Sequence, residues 1–539
     1  MQLHNVTIGT GRQSLKETPM LDLSRTARRL SPVVAAALCL AACRAQGQTA
    51  ASTAPLTPVE ATVTGGTLRG YVEDGVRIFK GAPYAQAPVG DLRWRPPQPA
   101  KPWTGVRDAQ VFGPDCMQNR VGWDDTQTKL PVSEDCLTLN VWAPADAKRA
   151  PVMVWIHGGG YVMGSGSQSV FDGAALARRG VVVVTFNYRL GRFGFFAHPA
   201  LDAEHPDEPK ANYGYMDQIA ALAWVKANIA ALGGDPNRVT IFGQSAGGGS
   251  VTQLMLIPQA RGLFQQAIAQ SGGGRDVWPL LAADRPGKVS AEAIGVAFAD
   301  KAGLKNATAA DLRALPAAKL LGKLDLLNME EATFSGPVVD GRLVTGSAVE
   351  GFAAGRQAKV PLLIGANSDE LGIIPGFLKG MFAGKTIAQL GLPEDRLLAI
   401  YGSKGALNND LPSDATFVEP AHALAGLAAK GGQPVWTYSF GYVLEAKRKD
   451  WRGTPHSGDL GFAFDTLGKL KDAPTAADQA AAKRWADAWA AFARTGDPGW
   501  ARYDPASDQR MTVTNDGAAL AATPDRIRAL GALRDAQAR

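Results

Sequence analysis

The sequence predicts an α/β domain with a mostly parallel central sheet, helices on both faces and large insertions. Three observations predict it. Continuous apolar runs such as PVMVWI, VVVVTF, RVTIFG, VPLLIG and PVWTYSF have the character of strands buried on both faces. Helical patterns separate them, the clearest being MDQIAALAWVKANIAALGG, with apolar residues at Ile219, Leu222 and Ile229 and a Gly233-Gly234 stop. A Gly-rich turn, Gly243-Gln244-Ser245-Ala246-Gly247, closes one apolar run at the strand end where such sheets build sites.

The elements follow in order. Residues 1–42 read as an export signal: the basic stretch SRTARRL precedes the short apolar stretch SPVVAAALCLAA. The sequence Leu40-Ala41-Ala42-Cys43 resembles a bacterial lipobox, in which Cys43 is lipidated and becomes the mature N-terminus; the other reading is an ordinary cleaved signal ending at Ala45. Met20 is the natural start for such a signal. Residues 43–58 are polar, Pro-containing and low in complexity, as a flexible tether is. Residues 59–539 read as one α/β domain. LRGYVEDGVRIF alternates around Asp74-Gly75, a hairpin signal. The Pro/Gly-rich KGAPYAQAPVGDLRWRPPQPAKPW reads as an ordered surface wrap.

Bulk composition narrows the function. The formal charge is +6, of which residues 1–42 carry +3 (Arg12, Lys16, Arg25, Arg28 and Arg29 against Glu17 and Asp22). The +3 left on so long a chain gives no nucleic-acid footprint. Of the four cysteines, Cys39 and Cys43 belong to the signal or anchor, which leaves Cys116 and Cys136 as a pair in an oxidising compartment. The alternative for that pair is two buried free thiols. The expected location is periplasmic or outer-membrane lipoprotein, otherwise secreted.

Acyl transfer needs a nucleophile, a base, a carboxylate to orient the base and donors for the oxyanion. Ser245 fits G-x-S-x-G, a strained strand-to-helix turn that exposes its hydroxyl. In this topology the partners follow in the order acid, then histidine. Only His422 and His456 follow Ser245. His422 lies in an Ala-rich helical pattern and His456 in a Gly/Pro-rich loop, which favours His456. For the acid, Asp340 and the adjacent Asp369 and Glu370 are all well placed. His157-Gly158-Gly159-Gly160, after the strand VMVWI, matches the HGGG oxyanion loop. No H-E-x-x-H and no dinucleotide loop occurs, so neither metal nor organic cofactor is expected.

These segments resemble the type-B carboxylesterases, bacterial relatives of the cholinesterases of the para-nitrobenzyl-esterase kind, with an α/β-hydrolase fold. The resemblance runs from about Gly65 to Asp504 through FKGAPYAQAPVGDLRWRPPQP, SEDCLTLNVWAP, VWIHGGGYVMGSG, NYRLGRFGFF, GQSAGGGS, AIAQSG and FARTGDP. It implies Ser245 as nucleophile, Glu370 as acid and His456 as base. It implies Gly159, Gly160 and Ala246 as oxyanion donors, Ser271 as support to the triad, and a Cys116–Cys136 disulfide. Leu371 stands where the family often has glycine after the acid. The expected function is hydrolysis of a small-molecule carboxylic ester through an acyl-enzyme. The rival readings are a lipase, amidase or thioesterase with the same triad, or a non-catalytic binding protein of the same fold.

Overall fold

The apolar runs pair into a 13-stranded sheet. A computed structural model describes residues 56–122, 124–326, 328 and 334–537. The export segment, Cys43 and most of the tether lie outside the described residues. Residues Leu56–Arg539 form one unit.

The strands along the sheet path are β1 (Thr57–Val63), β2 (Gly66–Glu73), β3 (Val76–Pro83), β4 (Thr138–Pro144), β5 (Ala150–Ile156), β6 (Val182–Phe186), β7 (Gly234–Gln244), β8 (Gln266–Gln270), β9 (Leu362–Asn367), β10 (Val435–Phe440), β11 (Gln509–Thr514) and β12 (Gly517–Ala522). Their spatial order is β1-β2-β3-β4-β6-β5-β7-β8-β9-β10-β11-β12. From β6 to β11 every pairing is parallel. The hairpins at both ends are antiparallel. The sheet is therefore mostly parallel, as the sequence predicts. Asp74 and Gly75 both take positive φ, 47° and 75°, which is the turn geometry that joins β2 to β3.

Helices cover both faces. Those that matter for the site are α1 (Tyr213–Asn228), α2 (Ala246–Leu254), α3 (Gly376–Leu390), α4 (Lys404–Ser413), α5 (Glu419–Lys430) and α6 (Ala476–Thr495). Alternate residues of each central strand enter two separate cores. Val152, Val154 and Ile156 of β5 join one cluster with Leu222, Val225 and Leu254. Met153 and Trp155 join the other with Trp485 and Trp489 of α6. The period of two is what makes one strand serve both layers.

The Pro/Gly-rich segment differs from its reading as a surface wrap. Lys80–Pro83 extends β3 across an irregularity between Phe79 and Ala82. Tyr84 and Trp94 are buried. The Trp94 ring stacks on Phe196 at 5.0 Å, and its Nε1 donates to Arg192 O at 2.7 Å. The aromatic residues supply enough apolar area to pull a segment without regular hydrogen bonding into the core. Cys116 and Cys136 are joined, with sulfurs 2.02 Å apart, and both are buried.

The centre of the second core is Trp155, fully buried and ringed by Phe171, Phe242 and Phe464 at 4.9, 4.8 and 5.0 Å. Trp155→Ala is expected to lower stability by roughly 3–5 kcal/mol, read as a lower urea midpoint at unchanged slope.

Candidate active site

The site forms where β5, β7, β8 and β9 end on the same side of the parallel sheet. Each strand stops at a glycine-rich or polar turn. Ser245 follows β7 with φ 59° and ψ −127°, a conformation costly for a residue with a Cβ. It is held by neighbours on both sides. Its N–H donates to Gln270 O at 2.9 Å, and its carbonyl accepts from Gly249 N at 2.9 Å. A Cβ at Gly247 would lie 1.9 Å from Ile156 O, so α2 approaches β5 closely only because that position is glycine.

Of the carboxylates considered from the sequence, the fold brings one to His456. Glu370 is fully buried, and its Oε2 accepts from His456 Nδ1 at 2.6 Å. Its Oε1 accepts from Ser271 Oγ at 2.5 Å and from Asn367 N at 2.7 Å. A further backbone bond runs from His456 N to Glu370 O at 2.8 Å. Asp369 turns the other way, to Arg452 Nη2 at 2.6 Å. Asp340 closes its own turn by accepting from the N–H groups of Arg342, Leu343 and Val344. His422 lies on α5 against Asp508 Oδ1 at 2.8 Å. Leu371, where the family often has glycine, donates its N–H to Ser413 Oγ of α4 at 2.9 Å.

The exposed part of the imidazole meets two further groups. The Phe417 ring lies 4.5 Å from it, tilted by 31°. Gln244 Nε2 lies 3.2 Å from Nε2 and 3.5 Å from Nδ1, nearly equidistant from the two ring nitrogens. In-plane donation to either lone pair cannot give that symmetry, so the amide lies over the ring. Gln244 Oε1 accepts from Ser457 Oγ at 3.2 Å, which fixes the amide orientation. Among the described residues no hydrogen bond joins Ser245 Oγ to His456.

Behind Glu370 lies a buried polar layer that no motif marks. Asp459 accepts from Gln270 Nε2 at 2.7 Å and from Asn367 Nδ2 at 3.2 Å. Burial pushes the Asp459 carboxyl up, and the nearby Glu370 charge adds to that against the hydrogen bonds it accepts. The available sequence signal is a polar residue at the last position of an apolar strand: Gln244, Gln270 and Asn367 all stand there.

The glycine loop after β5 faces Ser245. Gly159 and Gly160 have φ of 103° and 61°. A Cβ on Gly159 would meet Met163 O at 2.2 Å. Among the described residues the amides of Gly159, Gly160 and Ala246 donate to no protein acceptor. The loop comes close to the serine at Gly158, where a Cβ would lie 2.9 Å from Ser245 Cβ, and unpaired N–H groups in the loop and at the N-terminus of α2 favour negative charge. His157 anchors the loop: its ring stacks on Tyr188 at 4.4 Å, and Nδ1 lies 2.9 Å from Gly158 O. No group of metal-ligating side chains forms among the described residues.

A sheet of this topology ending in such a serine turn places the protein among the hydrolases of the α/β-hydrolase fold. Within that class the chain belongs to the carboxylesterase family, whose model matches residues 57–386 and 403–526. It is 36% identical to the fumonisin B1 esterase of Sphingopyxis macrogoltabida, over 80% of this chain and 82% of that protein. It is 35% identical to the para-nitrobenzyl esterase of Bacillus subtilis (strain 168), over 84% of this chain and 95% of that protein. Among solved structures, a PNB esterase matches with TM-score 0.76 and 33% identity, over 87% of this chain and 99% of that one. A carboxylesterase of Geobacillus stearothermophilus matches with TM-score 0.75 and 33% identity, over the same shares. The protein is a carboxylic ester hydrolase acting on a small-molecule ester.

His157 also gives stability a pH dependence. Burial lowers its pKa to about 4. The unfolded chain takes up the proton below its ordinary value near 6.5, so the contribution is complete above about pH 6.5. It is lost as pH falls toward 4, about 3 kcal/mol in all. His157→Asn is expected to flatten that part of the profile, measured by urea unfolding between pH 4 and 7.

Proposed function

We propose that Ser245 is the nucleophile, His456 the general base and Glu370 the carboxylate that orients it. The observation that carries this reading is the 2.6 Å contact of His456 Nδ1 with the buried Glu370. That bond fixes the tautomer with the proton on Nδ1 and leaves Nε2 free to accept. The Ser245 Oγ–His456 bond forms as the ester enters, since such contacts tighten in the substrate complex.

His456 takes the proton of Ser245 as Oγ attacks the ester carbonyl carbon. The carbonyl oxygen becomes an oxyanion and accepts from the amides of Gly159, Gly160 and Ala246, each worth about 3 kcal/mol. The tetrahedral intermediate collapses, the C–O bond to the alcohol breaks, and His456 returns the proton to the leaving oxygen. Water then adds to the acyl-enzyme by the same route and releases the acid. Glu370 holds the imidazole in orientation and stabilises the imidazolium. Ser271 and Asn367 N–H hold Glu370 in place, and Gln244 and Phe417 limit rotation of the imidazole.

We further propose that the chain is exported, with residues 1–42 removed, Cys43 acylated and the polar segment that follows it tethering the catalytic domain to a membrane. The Cys116–Cys136 bridge supports an oxidising compartment. No helix among the described residues is long and apolar enough to cross a membrane. The names of the relatives suggest para-nitrobenzyl and related activated esters as first substrates.

Hydrolysis of p-nitrophenyl esters by the parent enzyme, with kcat lowered about 10⁴-fold or more in Ser245→Ala and about 10⁴-fold in Glu370→Gln, is the expected result. An organophosphate should label Ser245 covalently in the parent and in Glu370→Gln, slowly in the latter. Full activity in Ser245→Ala would remove that residue from the mechanism.

A further inference from the structure

The helical run of α4 does not stop at Ser413. It continues through Asp414–Val418, which form a π turn, and into α5. Two prolines bracket the irregularity. Pro412, inside α4, has no N–H, and its ring crowds the carbonyl four residues earlier, which loosens the α register. The wider turn is closed by Glu419 N, which donates to Asp414 O, five residues back. In that same register Ala415 O faces Pro420, which has no N–H to give. A main-chain carbonyl in a buried turn needs a donor from elsewhere. Phe417 belongs to this turn, and its ring is the one that lies 4.5 Å from the imidazole of His456.

The missing donor comes from the far end of the chain. Helix α7 (Asp525–Gln537) packs on α5 and on the π turn and buries Ile527 and Leu530. Its Arg534 donates from Nη1 to Ala415 O at 2.7 Å and to Glu419 Oε2 at 2.7 Å. Glu419 is fully buried, and its other oxygen accepts from Arg275 Nη2 at 2.6 Å. Nearer the start of α7, Arg526 Nε donates to Asp414 Oδ2 at 2.8 Å, and the Tyr401 hydroxyl donates to the same oxygen at 3.0 Å. One helix thus holds the π turn at its first residue, at its second and at the residue that follows its last.

We propose that Arg534 is a positioning residue for ester hydrolysis: it supplies the donor that Pro420 lacks, fixes the π turn, and through that turn holds the Phe417 ring against His456. The inference rests on the reading of His456 as the base. Arg534 touches neither the imidazole nor the serine turn, so its effect on the chemistry runs through Phe417. Without the guanidinium, Ala415 O has no donor and Glu419 keeps only Arg275. The turn is then free to shift, and a displacement of about 1 Å in a group that orders the base is enough to lower kcat many-fold. Arg526 and Tyr401 still hold Asp414, so the fold around the turn survives the loss.

The test is a double-mutant cycle in the full chain, read as kcat and KM for p-nitrophenyl acetate beside the urea midpoint of each variant. Arg534→Met, which keeps the apolar stem, is expected to lower kcat about tenfold with KM changed less than about twofold. Phe417→Ala is expected to give a similar loss. In the Phe417→Ala background, Arg534→Met is expected to cost less than about twofold more, because the ring through which it acts is gone. Arg534→Lys, whose single ammonium can reach both oxygens, is expected to restore kcat to within about threefold of the parent. Parent kcat in Arg534→Met at a lowered urea midpoint overturns the proposal and leaves α7 a stabilising element only. An equal loss in both backgrounds overturns it too. Phe417→Ala keeps every contact of Arg534, so parent kcat there overturns the proposal even where Arg534→Met does not fold. Full activity in His456→Ala removes the base and this inference together, whereas lost activity there beside parent kcat in Arg534→Met removes this inference alone.

Discussion

The structure depends on the backbone at Ser245 being held at positive φ. A residue with a Cβ avoids that region, at a cost of order 1–3 kcal/mol, so the surrounding elements must over-determine the turn. They do so by close approach rather than by many contacts. Gly247 lets α2 settle against the end of β5, and the Ser245 N–H is drawn to Gln270 O of β8. The same turn aims the start of α2 at the glycine loop after β5. The positions proposed for the nucleophile and for the oxyanion donors are thus two results of one constraint, set by three neighbouring parallel strands.

Electrostatics form the second layer. Glu370 has no contact with water, yet every direction around its carboxylate is filled by a donor: His456 Nδ1, Ser271 Oγ and Asn367 N. A buried carboxylate with three donors is tolerable where a bare one is not. Asp459 lies behind it, raised in pKa by burial, and shares Asn367 and Gln270 with the strand ends. β8 and β9 contribute their last residues, Gln270 and Asn367, to this layer, and β7 places its last, Gln244, against the imidazole. The sheet therefore sets the electrostatics of the site as well as its geometry.

The sheet and the α3–α4 segment beyond Glu370 are packed differently. The cores on the two sheet faces are dense and aromatic, with Trp155 and Trp489 fully buried. The α3–α4 segment has a small core of its own and leaves Phe377 and Met381 exposed. This topology accepts such an insertion after β9 because it does not disturb the strand order.

Much of this was legible in the residues. Continuous apolar runs defined the parallel sheet because burial on both faces removes alternation. Asp74-Gly75 and Gly233 marked turns because few residues adopt positive φ. Ser245 and the HGGG loop were legible because close backbone approach demands glycine at set positions. The choice of acid was not legible from pattern. Asp369 and Glu370 are adjacent, and which one meets His456 depends on how the chain leaves β9: one side chain turns to Arg452, the other inward to Ser271. Nor could spacing place Gln244 and Phe417 against the imidazole, or bury Tyr84 and Trp94 in a segment that reads as surface. Local rules of strand, turn and glycine act over a few residues, so the sequence by itself determined the elements and the serine turn. Contacts between residues tens to hundreds of positions apart carry no local pattern, and only the tertiary structure decided which carboxylate, which amide and which ring surround the histidine.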